Sequence, residues 1–325
     1  MNHLRASFPI QVEGTLLDYA ADAEVCPGTV LATEEWMRGV LAALLIDETQ
    51  LLPVRYYLLE REEVAARCGG AMGCAEREGE GIAVYSDALM KKHELVHAIH
   101  LSVWNRRPAL LEEGLATLFD DDSPQILPYS GDAEMLAGAI EIADPRDDSS
   151  IYSRGAYLSY WILDRHGPAV LTDLWSNVER GFAAVSGESL AELLAGAGTE
   201  PACPIVTCVG TPVPWVDGEW SMTAPTGCDD ERVVGLSTGD RALYLRRELV
   251  EVTQSGIYEL SSSAGVAFIV ACGGGCSPLA AGHFVDAGSL PYQPVELVLE
   301  PGVYRVETQS TTDVGGYEVQ IRLVN

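Results

Sequence analysis

The chain has 325 residues, of which 47% are hydrophobic and 21% are charged, a composition typical of soluble globular proteins and not of disordered ones. This length exceeds what one hydrophobic core usually serves, so we expect two domains. The formal net charge of -28 repels nucleic acid and anionic membranes, so we expect neither as a partner. No stretch reaches the ~18 apolar residues of a membrane span, and none is predicted.

Residues 1–204 carry mixed patterns, with strands early and helices later. A helix over TEEWMRGVLAALLIDET is predicted to begin with Thr33 as its N-cap. Ser86 or Asp87 is expected to cap the helix that follows GIAVYSD, and Pro108 to open the helix after that. The predicted strands are FPIQVEGTLL, VRYYLLE and GIAVYSD, and the later helices are GDAEMLAGAIEIA, SSIYSRGAYLSYWILDRHG (ended by Gly167 and Pro168), PAVLTDLWSNVERG and ESLAELLAGAG.

Residues 205–325 show a different pattern, in which long helical periodicity disappears and prolines, glycines and cysteines cluster. In several runs, apolar and polar residues alternate with a period of two, and turn residues separate these runs, which is typical of β-strands. Pro301 and Gly302 are predicted to form a hairpin turn between two such runs. We therefore expect an all-β sandwich domain after an α+β domain.

Eight cysteines are present, and two pairs are closely spaced in glycine-rich loops: Cys68 with Cys74, and Cys272 with Cys276. Glycine lets a short disulfide ring close without strain, so we predict a disulfide within each pair. A zinc knuckle is the alternative, but CGGGC has no second C-x-x-C pair downstream. Disulfides imply an oxidising compartment, so we expect a secreted, cell-surface or periplasmic protein whose export signal has been removed.

The sequence HELVH carries the main functional signal. On a helix, His93 and His97 stack four residues apart on one face, where two imidazoles can chelate one Zn²⁺. Glu94 lies beside such a metal without ligating it and can take a proton from a zinc-bound water. The alternative is an ordinary helix that happens to carry polar residues.

The third ligand separates the classes of HExxH site. A metzincin-type site would need histidine at position 103, where this chain has Val103. Instead, His93-Glu94-x-x-His97 followed by Glu113-Gly-Leu-Ala resembles the gluzincins of the peptidase MA clan. The resemblance implies a zincin-like fold with a small sheet and a helical lobe, and Zn²⁺ held by His93, His97 and Glu113, with Glu112 in the neighbouring position. The small Gly114 and Ala116 would let the two helices approach closely around the metal.

Hydrolysis also needs a donor for the developing oxyanion. The helix IYSRGAYLSYWILDRHG resembles the tyrosine-bearing helix of gluzincins, which implies Tyr152 in this role, with Tyr157 as the second choice. A packed aromatic side chain is the alternative for either. His100 lies near His97 on the metal-side face and either supports the metal ligands or is a partly buried structural histidine.

These patterns and the gluzincin resemblance predict a secreted zinc peptidase that cleaves peptides or proteins with a Glu-activated water. The gluzincin resemblance further implies that the edge strand of the small sheet, GIAVYSD, pairs with extended substrate. Residues 205–325 are similar to bacterial pre-peptidase C-terminal β-sandwiches, which accompany secreted proteases, and could bind protein or glycan. The alternative function is a non-catalytic binding or adhesion protein that keeps a protease fold.

Overall fold

The computed structural model describes residues 10–21, 25–104, 108–120, 126, 151–177, 180–197, 202, 205–225, 227–228, 231–235, 243–263, 266–272, 283–286, 294–311 and 317–324. The predicted helix GDAEMLAGAIEIA, as well as Cys203 and Cys276, lies outside these residues. Within the described part of the chain, no helix is both long and apolar enough to cross a membrane.

A five-stranded mixed sheet forms the framework of the first part of the chain. Its central strands β2, β3 and β5 run parallel to one another, while β1 and β4 lie antiparallel at the two edges. The prediction that GIAVYSD is the edge strand is therefore wrong, because β5 pairs with a strand on each side and β4 forms the edge. The strands are β1 (Ile10–Val12), β2 (Leu17–Ala21), β3 (Val54–Leu58), β4 (Gly73–Glu78) and β5 (Gly81–Ser86).

Helices cover the sheet and share one hydrophobic core with it. The prediction that Thr33 caps the first helix is wrong: that helix starts earlier, at Pro27, and the Thr33 hydroxyl donates to the carbonyl of Thr29 inside it. The helices are α1 (Pro27–Ala43), α2 (Arg61–Arg67), α3 (Lys92–Val103), α4 (Ala109–Phe119), α5 (Ile151–His166), α6 (Pro168–Ser176), α7 (Phe182–Ser186) and α8 (Leu190–Ala197), with a 3₁₀ turn at Glu48–Gln50.

Helix α3 begins later than its sequence signals indicate. Ser86 is still the last residue of β5, and its hydroxyl accepts a hydrogen bond from the backbone N–H of Ala88, so it shapes the turn instead of capping the helix. Lys91 is the N-cap residue, and no side chain caps the helix there. The missing cap leaves N–H groups of the first turn without a side-chain acceptor from that position.

The second part of the chain forms two sheets that pack face to face around a common apolar core. One sheet has the strand order β11-β10-β13-β8-β7 and the other β12-β9-β14-β6. Trp220 and Ile321 from one sheet meet Ile269 and Val306 from the other in this core. The strands are β6 (Glu219–Thr223), β7 (Val233–Gly235), β8 (Leu243–Val252), β9 (Gly256–Ser262), β10 (Val266–Ala271), β11 (His283–Asp286), β12 (Val295–Leu299), β13 (Gly302–Thr311) and β14 (Glu318–Val324).

The turn at Pro301 and Gly302 is not a hairpin. It follows β12, which pairs with β9, and leads into β13, which pairs with β8 and β10 in the opposite sheet. The prediction of a hairpin is therefore wrong, and this turn carries the chain from one sheet across the core to the other.

The described residues contain three disulfides: Cys26–Cys228, Cys68–Cys74 and Cys208–Cys272. They are consistent with an extracellular protein. The Cys68–Cys74 prediction is confirmed, whereas the predicted Cys272–Cys276 bond is wrong. The backbone N–H of Cys272 still donates to Val303 of the neighbouring strand, so the chain has not turned back at this residue and its side chain meets Cys208 instead.

Non-reducing peptide mapping tests this assignment. We expect one cross-linked pair of peptides containing Cys208 and Cys272, and another containing Cys26 and Cys228. A peptide in which Cys272 is bonded to Cys276 would contradict the structure, and a free thiol at Cys68 or Cys74 would contradict the short disulfide.

Candidate metal centre

Helix α3 places two histidines on one face beside the sheet. His93 and His97 are one helical turn apart, and their rings meet nearly edge to face with centroids 4.8 Å apart. Two of the three residues between them, Leu95 and Val96, are buried in the core, which fixes the rotation of the helix. The two imidazoles therefore project from a rigid element, as a metal site requires.

Helix α4 brings a carboxylate to the same point. Glu113 Oε2 lies 3.1 Å from His93 Nε2 and 3.4 Å from His97 Nε2. One ligand atom from each of the three residues lies within 4.8 Å of the others, so they could hold a single metal ion. Two neutral imidazoles and one carboxylate form a donor set that suits zinc and leaves a coordination position open.

A second carboxylate of α4, that of Glu112, lies on the side of the His97 ring opposite Glu113. Glu112 Oε1 lies 3.1 Å from His97 Nδ1 and 3.2 Å from His100 Nδ1. Because Glu112 holds Nδ1 of His97, the ring presents Nε2 to Glu113. His100 is completely buried and packs against the rings of Trp104 and Trp175. The distance to Glu112 fits a support of the metal ligands and the packing against two tryptophans fits a structural histidine, so both sequence interpretations of His100 stay open.

The charges of this cluster are strongly coupled. Burial would lower the pKa of His97, but hydrogen bonds to the carboxylates of Glu112 and Glu113 raise it to about 10. Burial would likewise raise the pKa of Glu113, but hydrogen bonds from His93 and His97 lower it to about 2. The negative charge that favours a proton on His97 also favours a divalent cation, so protons and metal compete for these side chains.

Glu94 lies next to this triad and against the edge strand. It is buried, and its negative charge contributes to the raised pKa of His97. A Cβ atom on Gly73, the first residue of β4, would lie only 2.8 Å from Glu94 Cγ. The absence of a side chain at this position therefore lets the edge strand pass directly over the Glu94 carboxylate.

The structure distinguishes between the two tyrosine candidates. The ring centroid of Tyr152 lies 5.8 Å from that of His93, so Tyr152 borders the metal ligands. Tyr157 is instead buried in the core, where its ring packs at 6.2 Å from Trp161. Tyr152 is therefore the better candidate for a side chain that contacts a substrate.

The approach of α5 depends on a pair of glycines. A Cβ atom on Gly155 would overlap the backbone carbonyl of Leu110, and one on Gly114 would overlap the backbone of Gly155. Gly114 was expected to bring α4 close to α3, but its close contact is with α5. The glycine pair thus sets the distance between the helix of Glu113 and the helix of Tyr152.

We expect Gly155→Ala to destabilise the fold by at least the ~1–3 kcal/mol typical of overpacking, because the obstacle is backbone and cannot rotate away. Chemical denaturation measures this directly. Gly227→Ala is the matched control, since a Cβ atom there meets no other atom within 4 Å. Equal stability of the Gly155 and Gly227 variants would show that α4 and α5 are not in backbone contact.

Comparisons with known proteins give no assignment. No family model and no curated protein matches the chain. A solved structure of a family GH115 4-O-methyl-α-glucuronidase, described as specific for decorated arabinogalactans, is 10% identical and has a TM-score of 0.17. That match covers 59% of this chain and 29% of the glucuronidase, so the chain spans less than a third of its length. A TM-score this low carries no argument about fold or function.

Proposed function

We propose that the protein is an exported zinc-dependent peptidase. The observation that carries this proposal is the convergence of His93, His97 and Glu113 from two helices, with Glu94 adjacent and outside the ligand set. A zinc ion bound there would act as a Lewis acid toward a peptide carbonyl and would make water more acidic. The three disulfides support an oxidising compartment, and hence a secreted, cell-surface or periplasmic protein.

The side chains around the ligands have separate roles in this proposal. Glu94 accepts a proton from the attacking water and returns it to the leaving amine. Tyr152 donates a hydrogen bond to the oxygen on which negative charge develops. Glu112 keeps His97 in the tautomer that presents Nε2, so these roles do not depend on rearrangement of the ligands.

Extended substrate is expected along β4, not along β5. β4 is one of the two edge strands of the sheet within the described residues, and it begins at Gly73, against Glu94. An unpaired strand edge offers backbone N–H and C=O groups to an extended peptide, which aligns the peptide without demanding a particular sequence. A scissile bond near Gly73 would then lie close to the proposed base.

The proposal is tested by incubating purified, zinc-loaded protein with a peptide library and identifying the cleavage products. Cleavage that a chelator abolishes and added zinc restores supports the peptidase. A folded protein that holds zinc but cleaves no peptide or protein favours the alternative, a binding or adhesion protein with a protease fold.

A glycan- or protein-binding role of residues 205–325 needs a test in the full chain. Cys228 in this part is bonded to Cys26, and the N–H of Cys26 donates to the carbonyl of Gly235. The isolated segment would lack both contacts. Binding by the full chain that survives loss of zinc and of the Glu94 carboxylate would assign recognition to the sandwich.

A further inference from the structure

Helix α3 begins with the sequence Lys91-Lys92-His93-Glu94, in which a glutamate lies three residues after the N-cap. A glutamate at this position can turn its carboxylate back and accept a hydrogen bond from the backbone N–H of the N-cap residue, as in a capping box. That bond would hold the carboxylate of Glu94 at the start of the helix and draw it away from the edge strand that begins at Gly73.

The backbone N–H of Lys91 is already bonded to a side chain of the sheet. It donates to the hydroxyl oxygen of Tyr56 at 2.9 Å, and the Tyr56 hydroxyl donates in turn to the backbone carbonyl of Ala88 at 2.6 Å. One hydroxyl therefore satisfies a donor and an acceptor of the turn that leads into α3. If the N–H at this partly buried position lost its partner, it would need another acceptor, since an unpaired backbone group removed from water is costly.

Packing in the sheet fixes the position of Tyr56. This residue lies in β3, a central strand, and is completely buried. Tyr19 is its register partner on the neighbouring strand β2, and the two rings stack with centroids 4.7 Å apart. The Tyr19 hydroxyl donates to the carbonyl of Leu89 in the same turn. The Tyr56 hydroxyl therefore has little freedom to move away from the start of α3.

The carboxylate of Glu94 extends toward the edge strand and not toward the N-cap. A Cβ atom on Gly73 would lie 3.0 Å from Glu94 Oε1, so the carboxylate reaches the first residue of β4. Glu94 is buried in this position, next to the three residues that could hold a metal ion. The Tyr56 hydroxyl thus occupies the one N–H that would otherwise compete for this carboxylate.

We propose that Tyr56 is a positioning residue for the base: its hydroxyl takes the N–H of Lys91 and so leaves the carboxylate of Glu94 available to the metal centre. This inference rests on the proposed function, in which Glu94 accepts a proton from water. The Tyr56 hydroxyl acts on the backbone before α3, so its effect on hydrolysis passes through Glu94. The sheet thereby provides the cap that the side chain of Lys91 does not.

Thermal unfolding of the zinc-free protein tests this proposal without any substrate. Glu94→Ala is introduced into the wild-type chain and into the Tyr56→Phe chain, and the melting temperatures of the four proteins are compared. We expect Glu94→Ala to lower the melting temperature more in the Tyr56→Phe chain, because there the carboxylate has become the cap of the Lys91 N–H. Equal decreases in the two chains would overturn the proposal.

Steady-state kinetics of the zinc-loaded protein provide the second measurement. Tyr56→Phe should lower kcat by ~2–30-fold, the population shift that a typical cap interaction produces, and leave KM and zinc affinity unchanged. In the Glu94→Gln chain, Tyr56→Phe should lower kcat no further, since the base is already absent. A fall in zinc affinity that parallels the fall in kcat would show damage to the metal ligands and contradict a role that passes through Glu94.

Two neighbouring tyrosines are matched controls. Tyr19→Phe removes a hydroxyl that bonds to the same turn but leaves the Lys91 N–H with Tyr56. Tyr57→Phe removes a hydroxyl from the next residue of β3, which packs in a separate cluster with Tyr85. Both should keep the wild-type kcat. A loss of kcat in Tyr19→Phe equal to that in Tyr56→Phe would show a general weakening of the turn and so contradict the proposal.

The outcomes separate this inference from the proposed function. If wild-type protein cleaves no peptide while the four melting temperatures show the expected pattern, the competition for the N–H is supported and the peptidase is wrong. If wild-type protein cleaves peptide and Tyr56→Phe cleaves it equally fast, only the role of Tyr56 is wrong. Should Tyr56→Phe not fold, a crystal structure of the wild-type protein decides. A hydrogen bond from the Lys91 N–H to Glu94 contradicts the proposal, and one to Tyr56, with Glu94 turned toward bound zinc, supports it.

Discussion

Glu94→Gln should abolish most peptide hydrolysis while the protein keeps its zinc and its melting temperature. The substitution preserves the size of the side chain and its contact with Gly73 but removes the basic carboxylate. Loss of general acid–base catalysis typically lowers rates by ~10²–10⁴-fold, and we expect at least this reduction in kcat. Steady-state kinetics on a cleaved library peptide, with zinc content measured in the same sample, provide the result.

Tyr152→Phe is the informative comparison for this variant. It removes only the hydroxyl of a side chain whose ring lies beside His93, and it should raise the barrier by about 3 kcal/mol, the typical effect of losing one oxyanion donor. Tyr157→Phe is its matched control, since Tyr157 packs against Trp161 in the core. Hydrolysis by Glu94→Gln at the wild-type rate would exclude Glu94 as the base. A larger loss of kcat in Tyr152→Phe than in Glu94→Gln would contradict the roles assigned to these two residues.

The histidine pair of the candidate metal centre could be placed from sequence because its spacing is local. His93 and His97 are four positions apart, and helical geometry alone puts both on one face. Glu113 could be proposed as the third ligand only through the resemblance to a family, because no local rule says which glutamate of α4 faces α3. The contact between Glu112 and His97 Nδ1 was not predicted. Glu112 directly precedes the proposed ligand Glu113, and a carboxylate next to a ligand often orients a metal-binding histidine, so the sequence did carry a signal for it.

Helix boundaries were predictable where the backbone itself sets them. α4 begins directly after Pro108, and α5 ends before Gly167, which adopts positive φ ahead of Pro168. Side-chain signals were weaker guides. Thr33 has the residue type of an N-cap, yet it lies within α1, whose first residue is Pro27, a residue type favoured at that position.

The errors in strand pairing and in disulfide pairing share one physical cause, which is that partners distant in sequence decide the outcome. The turn at Pro301 and Gly302 has hairpin chemistry, but the pairing of β12 with β9 and of β13 with β8 separates its two arms. Cys272 likewise bonds to a cysteine 64 residues away instead of its near neighbour. The position of β5 inside the sheet depends on β4 adding to it, which the alternation within GIAVYSD cannot reveal.

Glu113→Gln should remove zinc from the protein more completely than Glu112→Gln. Both replace a buried carboxylate of α4 with its uncharged amide, and both remove a hydrogen-bonding partner of His97. Only Glu113 is placed to ligate, whereas Glu112 orients the ring from its other nitrogen. We expect Glu112→Gln to weaken zinc binding by the ~10–100-fold typical of such orienting partners, and Glu113→Gln to exceed this range.

The pH dependence of zinc affinity gives an independent check on Glu112 and Glu113. Because the two carboxylates raise the pKa of His97 to about 10, zinc must displace a proton from this ring over the whole range below that value. Wild-type zinc affinity should therefore rise with increasing pH and fall as the solution is made acidic. Removal of either carboxylate lowers the pKa of His97, so both variants should reach their limiting affinity at a lower pH. Full zinc occupancy in Glu113→Gln, or identical affinities of the two variants at every pH, would rule out Glu113 as the third ligand.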